Sequence, residues 1–288
     1  MRLLSSLLLL LSILTNSPAA EPRLVPDLVY STLGKRELHL DLCLPTATNP
    51  TPLVVWIHGG GWHAGSYKES ADGMAGFANL GIASASVEYR LAQEARFPAQ
   101  RDDLHAALRY LVQIAPRYNF DPRRVILLGG SAGGHLALLM GFDPKPAAGM
   151  MIRGIINLDG PTHLGMFPTD PLGDAELKSS GSTMGARELV ADFLGTSDRS
   201  ATIYAEASPL TWVRPGVPPV LTLHGSDDHI VPFSQAEALH AALRHFGVEE
   251  KLLRGAGGGH TLESWPKADK DQAILAMRDF LMAHLLTK

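Results

Sequence analysis

Val125-Ile126-Leu127-Leu128-Gly129-Gly130-Ser131-Ala132-Gly133-Gly134-His135-Leu136-Ala137-Leu138-Leu139-Met140 joins an apolar run, a glycine-flanked serine and a second apolar run without a break. The opening residues, Val125–Leu128, carry no polar side chain, which is the pattern of a strand buried on both faces. The closing stretch, Gly134–Met140, predicts a helix. Between them Gly129 to Gly133 spell G-x-S-x-G in a strand–turn–helix setting. A serine on such a turn sits in strained backbone, where side chains at the flanking positions would collide with the chain. Glycine at those positions leaves the serine Oγ exposed, so Ser131 is a candidate nucleophile. A phosphate-binding loop is excluded because no Gly-Lys-Ser/Thr follows.

Similar apolar runs recur on either side at Leu53–Ile57, Ala83–Val87, Ile152–Leu158 and Val220–Leu223. Val25–Tyr30 and Glu37–Leu42 predict an opening pair of strands, the second alternating with Leu38, Leu40 and Leu42 inward. Gln100–Ala115 sets Leu104, Ala107, Leu108, Leu111 and Val112 at helical spacing. Ser234–His245 and Asp269–Leu286 read the same way. Strands separated by helices predict an α/β fold, with a mainly parallel sheet covered on both faces. Such sheets carry their reactive loops at the C-terminal ends of the strands. Gly160–Thr202 is rich in Gly, Ser, Asp and Pro and poorly periodic. With too little apolar content for a core of its own, it is expected to form an excursion over the site.

The chain has 288 residues, of which 45% are hydrophobic and 19% charged, so it has material for one large core and none of the signature of disorder. Twenty-five basic against 29 acidic residues give a net charge of −4, and no basic run could hold a polyanion. Nucleic acid is thereby excluded as a partner. One arginine, an apolar stretch from Leu3 to Leu14 and Ser17-Pro18-Ala19-Ala20 predict a secretory signal peptide, with cleavage after Ala19 or Ala20. The stretch is too short and too interrupted by serine for a stable membrane anchor. The expected division is therefore a signal peptide over 1–19 and a catalytic domain over 20–288, with the excursion near 160–202. Cys43 is the single cysteine, so no intrachain disulfide can form. Export without disulfides suits a bacterial periplasm or exterior.

Three further elements sit at predicted strand ends. His58-Gly59-Gly60-Gly61-Trp62 follows Leu53–Ile57, and consecutive glycines can turn backbone N–H groups toward an oxyanion. Composition gives the tetrad His58–Gly61 by chance about 0.01 times and the serine pentad about 0.2 times, so the tetrad is the sharper signal. His58 is expected to orient this loop rather than transfer protons, and no carboxylate–His spacing marks a metal site. His224-Gly225-Ser226-Asp227-Asp228-His229 follows Val220–Leu223 and offers a carboxylate that could orient a histidine, with Asp227 and Asp228 both available. Gly255-Ala256-Gly257-Gly258-Gly259-His260 delivers a histidine on a glycine loop. Of the 12 histidines, His260 alone combines that setting with the chain order Ser, Asp, His. His135 and His240 fall on predicted helices and are expected to be structural or solvated.

These elements, with Leu40-Asp41-Leu42, Val87-Glu88-Tyr89-Arg90, Phe97-Pro98-Ala99-Gln100, Ser208-Pro209-Leu210 and Asp228-His229-Ile230-Val231-Pro232, resemble an α/β-hydrolase of the hormone-sensitive-lipase-like type. More narrowly, the chain resembles the secreted bacterial feruloyl and acetyl xylan esterases. The resemblance implies Ser131 as nucleophile and His260 as base. It implies Asp228 as orienting acid through the D-x-x-V-P pattern, with Asp159 at a strand end as an alternative used in some related folds. Gly60, Gly61 and Ala132 would supply oxyanion N–H groups. The glycine run before His260 is longer than the usual Gly-x-Gly-His by about one residue.

The implied reaction is two-step hydrolysis of a small-molecule or carbohydrate ester, with no metal or organic cofactor. A general short-chain carboxylesterase, a prolyl-oligopeptidase-like peptidase and a non-catalytic binding module are the alternatives. The peptidase type normally carries a large propeller that this chain lacks, and a dead module typically loses residues that are all present here. Trp62, Phe167 and Trp265 are weighed as aromatic lining of the site's mouth.

Overall fold

The structure is a computed structural model that describes residues 21–145 and 147–286; the predicted signal peptide lies outside the described residues. Eight strands form one sheet in the order β1-β2-β4-β3-β5-β6-β7-β8. They are β1 (Arg23–Leu33), β2 (Arg36–Leu44), β3 (Thr51–Ile57), β4 (Ala83–Val87), β5 (Phe120–Gly130), β6 (Ile152–Leu158), β7 (Val220–Gly225) and β8 (Glu250–Gly255). β1–β2 and β2–β4 pair antiparallel, and every later pair is parallel. The sheet is thus mainly parallel, as the apolar runs predict.

Alternation within those runs splits the core in two. Leu53, Val55, Ile57, Val125 and Leu127 face one layer, while Val54, Trp56, Ile126 and Leu128 face the other. The first layer is covered by helices α2 (Ala99–Tyr118), α3 (Ala132–Phe142) and α7 (Ser234–His245), the second by α1 (Ala71–Asn79) and α8 (Lys267–Leu281). A strand with apolar side chains on both faces needs this double cover. It also explains why α3 is buried along its whole length while the surface helix α2 shows a stripe.

The stretch from Gly160 to Thr202 is more ordered than its composition suggests. It forms α4 (Pro171–Ser179) and α5 (Ala186–Leu194), and α6 (Thr202–Glu206) follows. Asp170 caps α4 by accepting from the Leu172 N–H at 2.9 Å, and Gly195 ends α5 in a left-handed turn at φ 78°. Val190, Phe193 and Leu194 join the main core. Leu189, Val190, Phe193 and Leu194 form a one-sided helical stripe, but it is confined to one short helix and the Gly-, Ser- and Asp-rich sequence around it reads as loop. β8 is a second element absent from the sequence reading, since Lys251 and Arg254 interrupt it as charged residues do on an edge strand.

Candidate active site

Ser131 stands where β5 meets α3, at φ 51° and ψ −121°. That left-handed backbone is costly for a residue with a Cβ and persists only when its surroundings enforce it. The enforcing contacts are glycines. A Cβ on Gly129 would lie 2.4 Å from the Gly133 carbonyl, and one on Gly133 would lie 2.1 Å from Ile57 O. The Ser131 N–H then donates to Leu158 O at 2.7 Å. Gly133→Ala is therefore expected to lower unfolding stability by about 2 kcal/mol or more in a urea titration. Gly130→Ala, whose added carbon meets nothing closer than 3.9 Å, should stay within about 0.5 kcal/mol of the parent.

His260 reaches this serine from the loop after β8. Its Nε2 lies 2.9 Å from Ser131 Oγ and its Nδ1 2.7 Å from Asp228 Oδ2. The additional glycine is absorbed in a turn in which Gly258 N–H donates to Gly255 O at 3.1 Å and Gly257 adopts φ 70°. Trp265 braces that turn: a Cβ on Gly255 or Gly258 would strike its indole at 2.3 and 2.4 Å, and its Nε1 donates to Gly259 O at 3.2 Å.

Asp228 is the buried member of the Asp227-Asp228 pair. Its Oδ1 accepts from the Ile230 and Val231 N–H groups at 2.9 and 2.8 Å, which leaves Oδ2 for His260. Burial pushes this carboxyl up, but the charges and hydrogen bonds of His260 and His224 outweigh it and hold the group far below the usual carboxylate range. Asp227 points outward, with an oxygen 3.7 Å from His229 Nε2. Asp159 lies behind, accepting from Gly225 N–H at 3.2 Å, and makes no hydrogen bond to His260 among the described residues. Desolvation lifts the Asp159 carboxyl well above its ordinary value.

The glycine loop after β3 packs against the serine turn, since a Cβ on Gly59 would meet Gly130 O at 2.8 Å and Ser131 Cβ at 3.6 Å. Gly60, Gly61 and Trp62 follow one another at φ 106°, 58° and 62°. Gly60 O accepts from the N–H groups of His63 and Ala64 at 3.0 and 2.9 Å. Among the described residues, no hydrogen bond engages the N–H groups of Gly60, Gly61 or Ala132. A tryptophan in left-handed backbone is a genuine outlier. Its side chain is held from two sides: it stacks on Phe193 of α5 at 4.4 Å, and its Nε1 donates to His135 Nδ1 at 3.2 Å. His135 Nε2–H in turn donates to Ala207 O at 2.7 Å. His58 stacks on Tyr89 at 4.2 Å, and its Nδ1–H donates to Gly59 O at 2.9 Å. Burial pulls both His58 and His135 down to about 4, so neither is a proton carrier at neutral pH.

Trp62, Phe167 and Trp265 do not line a mouth. All three are buried in packing, Trp62 against α5, Phe167 in the main core and Trp265 beneath the His260 loop. The sequence reading leaves α5 without a role, yet it grips the glycine loop after β3. Besides the Phe193 stack, Asp192 Oδ2 lies 2.9 Å from His63 Nε2, and Leu189 covers Gly61 at 3.0 Å from a Cβ built there. Asp159, His224 and Asp228 also bring ligand atoms within 4.8 Å of one another. Both oxygens of Asp228 are already committed there, so a cation would compete directly with His260.

Residues 40–243 match the BD-FAE family. Esterase LipC of Mycobacterium tuberculosis (strain ATCC 25618 / H37Rv) is 29% identical over 231 residues, covering 75% of this chain and 54% of LipC. The probable isoprenylcysteine alpha-carbonyl methylesterase ICME of Oryza sativa subsp. japonica is 26% identical over 234 residues, covering 77% of this chain and 55% of its own. The chain spans about half the length of the curated relatives it matches. A truncated carbohydrate esterase from gut microbiota shares the fold, with a TM-score of 0.73 at 22% identity over 92% of this chain and 99% of that one. Esterase Est2 of Thermogutta terrifontis does so with a TM-score of 0.69 at 23% identity, over 92% of each chain. The family match runs from β2 into α7 and takes in the serine turn and the Asp228 loop, so this chain belongs to the BD-FAE family, an α/β-hydrolase family whose matched relatives are esterases.

Proposed function

We propose that the chain is a secreted serine carboxylic ester hydrolase that removes short acyl groups, acetyl first and feruloyl second, from carbohydrate or small-molecule esters. The observation that carries this reading is the hydrogen-bonded line Ser131–His260–Asp228, at 2.9 and 2.7 Å. In the reaction Ser131 Oγ attacks the ester carbonyl while His260 Nε2 takes its proton. The Gly60, Gly61 and Ala132 N–H groups, which make no hydrogen bond among the described residues, hold the developing oxyanion. His260 passes its proton to the departing alcohol, and a water activated by the same ring then releases the acid. Asp228, ionised across the working range, keeps His260 in the tautomer with its proton on Nδ1.

The carbohydrate part of the proposal rests on family membership, and the export part on the composition of residues 1–19, which form a signal peptide ahead of a catalytic domain over 20–288. No helix among the described residues is long and apolar enough to cross a membrane. The test is a panel of p-nitrophenyl esters from acetate to octanoate with acetylated xylan and methyl ferulate, each corrected by a Ser131→Ala blank. Acetate is expected to be cleaved faster than octanoate, and acetate to be released from xylan. Preference for octanoate with inert xylan would leave a general carboxylesterase in its place.

A further inference from the structure

One imidazole ties the glycine loop after β3 to the helix that follows Ser131. His135 lies on the first turn of α3, where its backbone N–H donates to Ser131 O at 3.0 Å. Its Nδ1 accepts from Trp62 Nε1–H at 3.2 Å, and its Nε2–H donates to Ala207 O, just beyond α6, at 2.7 Å. An indole N–H can only donate and a carbonyl can only accept, so these two bonds require a neutral ring with its proton on Nε2. A protonated ring would set two donors against each other at Nδ1. The ring is wholly buried, and both of its nitrogens are used. Trp62 meets it edge-on at 5.1 Å and Phe193 at 5.8 Å, which fixes its orientation.

Gly59, Gly60 and Gly61 have no side chains by which to be held, so the side chains that anchor the run are those at its ends. Ahead of it is His58, stacked on Tyr89, and behind it is Trp62. Of the three consecutive residues with positive φ, Trp62 alone carries a Cβ, so its conformation has to be enforced. With the indole released, Trp62 could relax toward negative φ, and the Gly61 peptide would swing with it. We propose that His135 is a positioning residue of the reaction: by accepting from Trp62 it holds the Gly60 and Gly61 N–H groups in register with Ser131, whose helix carries the ring. The proposal rests on Ser131 being the nucleophile and on those N–H groups being the oxyanion donors.

Trp62→Phe keeps an aromatic ring against Phe193 but removes the indole N–H, and His135→Leu removes the acceptor. Each should lower kcat on p-nitrophenyl acetate about tenfold with KM within about twofold, because a displaced donor is missed by the oxyanion and not by the bound ester. A short alkyl trifluoromethyl ketone, whose carbonyl carbon takes up Ser131 Oγ and leaves a charged oxygen, should lose affinity in each variant by a similar factor. The double variant should be no slower than the slower single one, since both remove the same bond; losses that multiply overturn the proposal. His135→Gln, with an acceptor and a donor at its tip, should recover most of what His135→Leu loses. Unchanged kcat and inhibitor affinity in a folded Trp62→Phe overturn the proposal and leave the esterase reading standing. Parental activity that survives Ser131→Ala overturns that reading instead. Should neither variant fold, the ¹⁵N spectrum of histidine-labelled wild-type protein decides: a neutral His135 ring with its proton on Nε2 supports the proposal, and a proton on Nδ1 overturns it.

Discussion

Ser131→Ala will lower kcat/KM for p-nitrophenyl acetate by at least about 10⁴-fold. Alanine removes the only oxygen that His260 Nε2 addresses, at 2.9 Å, and nothing else in the described structure offers a nucleophile to that ring. The fold should not notice. The turn at φ 51° suits alanine no worse than serine, and the one hydrogen bond lost is partly exposed, worth about 1 kcal/mol. The informative experiment pairs a progress curve with thermal unfolding of the same sample. More than about 1% residual activity from a protein of unchanged melting temperature would remove Ser131 from the chemistry.

Asp228→Asn should cost about 10⁴-fold in kcat/KM, and Asp227→Asn less than about threefold. The asparagine at 228 can still accept from Ile230 and Val231 through Oδ1. Its other end becomes an NH₂ facing His260 Nδ1, so two donors meet where a donor met a carboxylate. The ring must turn over its tautomer or its orientation, and its Nε2 then no longer accepts from the serine. Asp227 has an exposed side chain whose nearest charged partner is His229, so neutralising it touches nothing that His260 feels. Steady-state rates at pH 8 separate the two, and the reverse ranking would transfer the orienting role to Asp227.

What sequence alone conveys, and where it stops, follows from distance along the chain. Buried parallel strands announce themselves because both faces must be apolar, so β3 through β7 read directly as runs. Ser131, the His58 loop and His260 are legible through their glycines, since backbone that turns sharply next to a reactive atom leaves a local signature. The grip of α5 on Trp62 leaves none. Phe193 and Asp192 sit more than a hundred residues from Trp62 and His63, and nothing local in either stretch pairs them. The same holds for Trp62, Phe167 and Trp265. An aromatic residue beside a catalytic motif looks the same in sequence whether it faces solvent or packing, and all three pack. Asp159 follows β6, and only the folded chain brings it beside His224 and Asp228.

The stack of Phe193 on Trp62 bears on attempts to redesign the proposed esterase. The excursion over 160–202 is the natural segment to exchange when a different acyl or alcohol group is wanted. Yet α5 within it packs, through Leu189 and Phe193, on a run of three residues in left-handed backbone, Gly60, Gly61 and Trp62. A chimaera that transplants a whole foreign excursion would therefore change substrate choice and unfasten the Gly60–Trp62 loop in the same stroke. Grafts confined to 164–184, with Leu189, Asp192 and Phe193 retained, would keep recognition and rate acceleration separable.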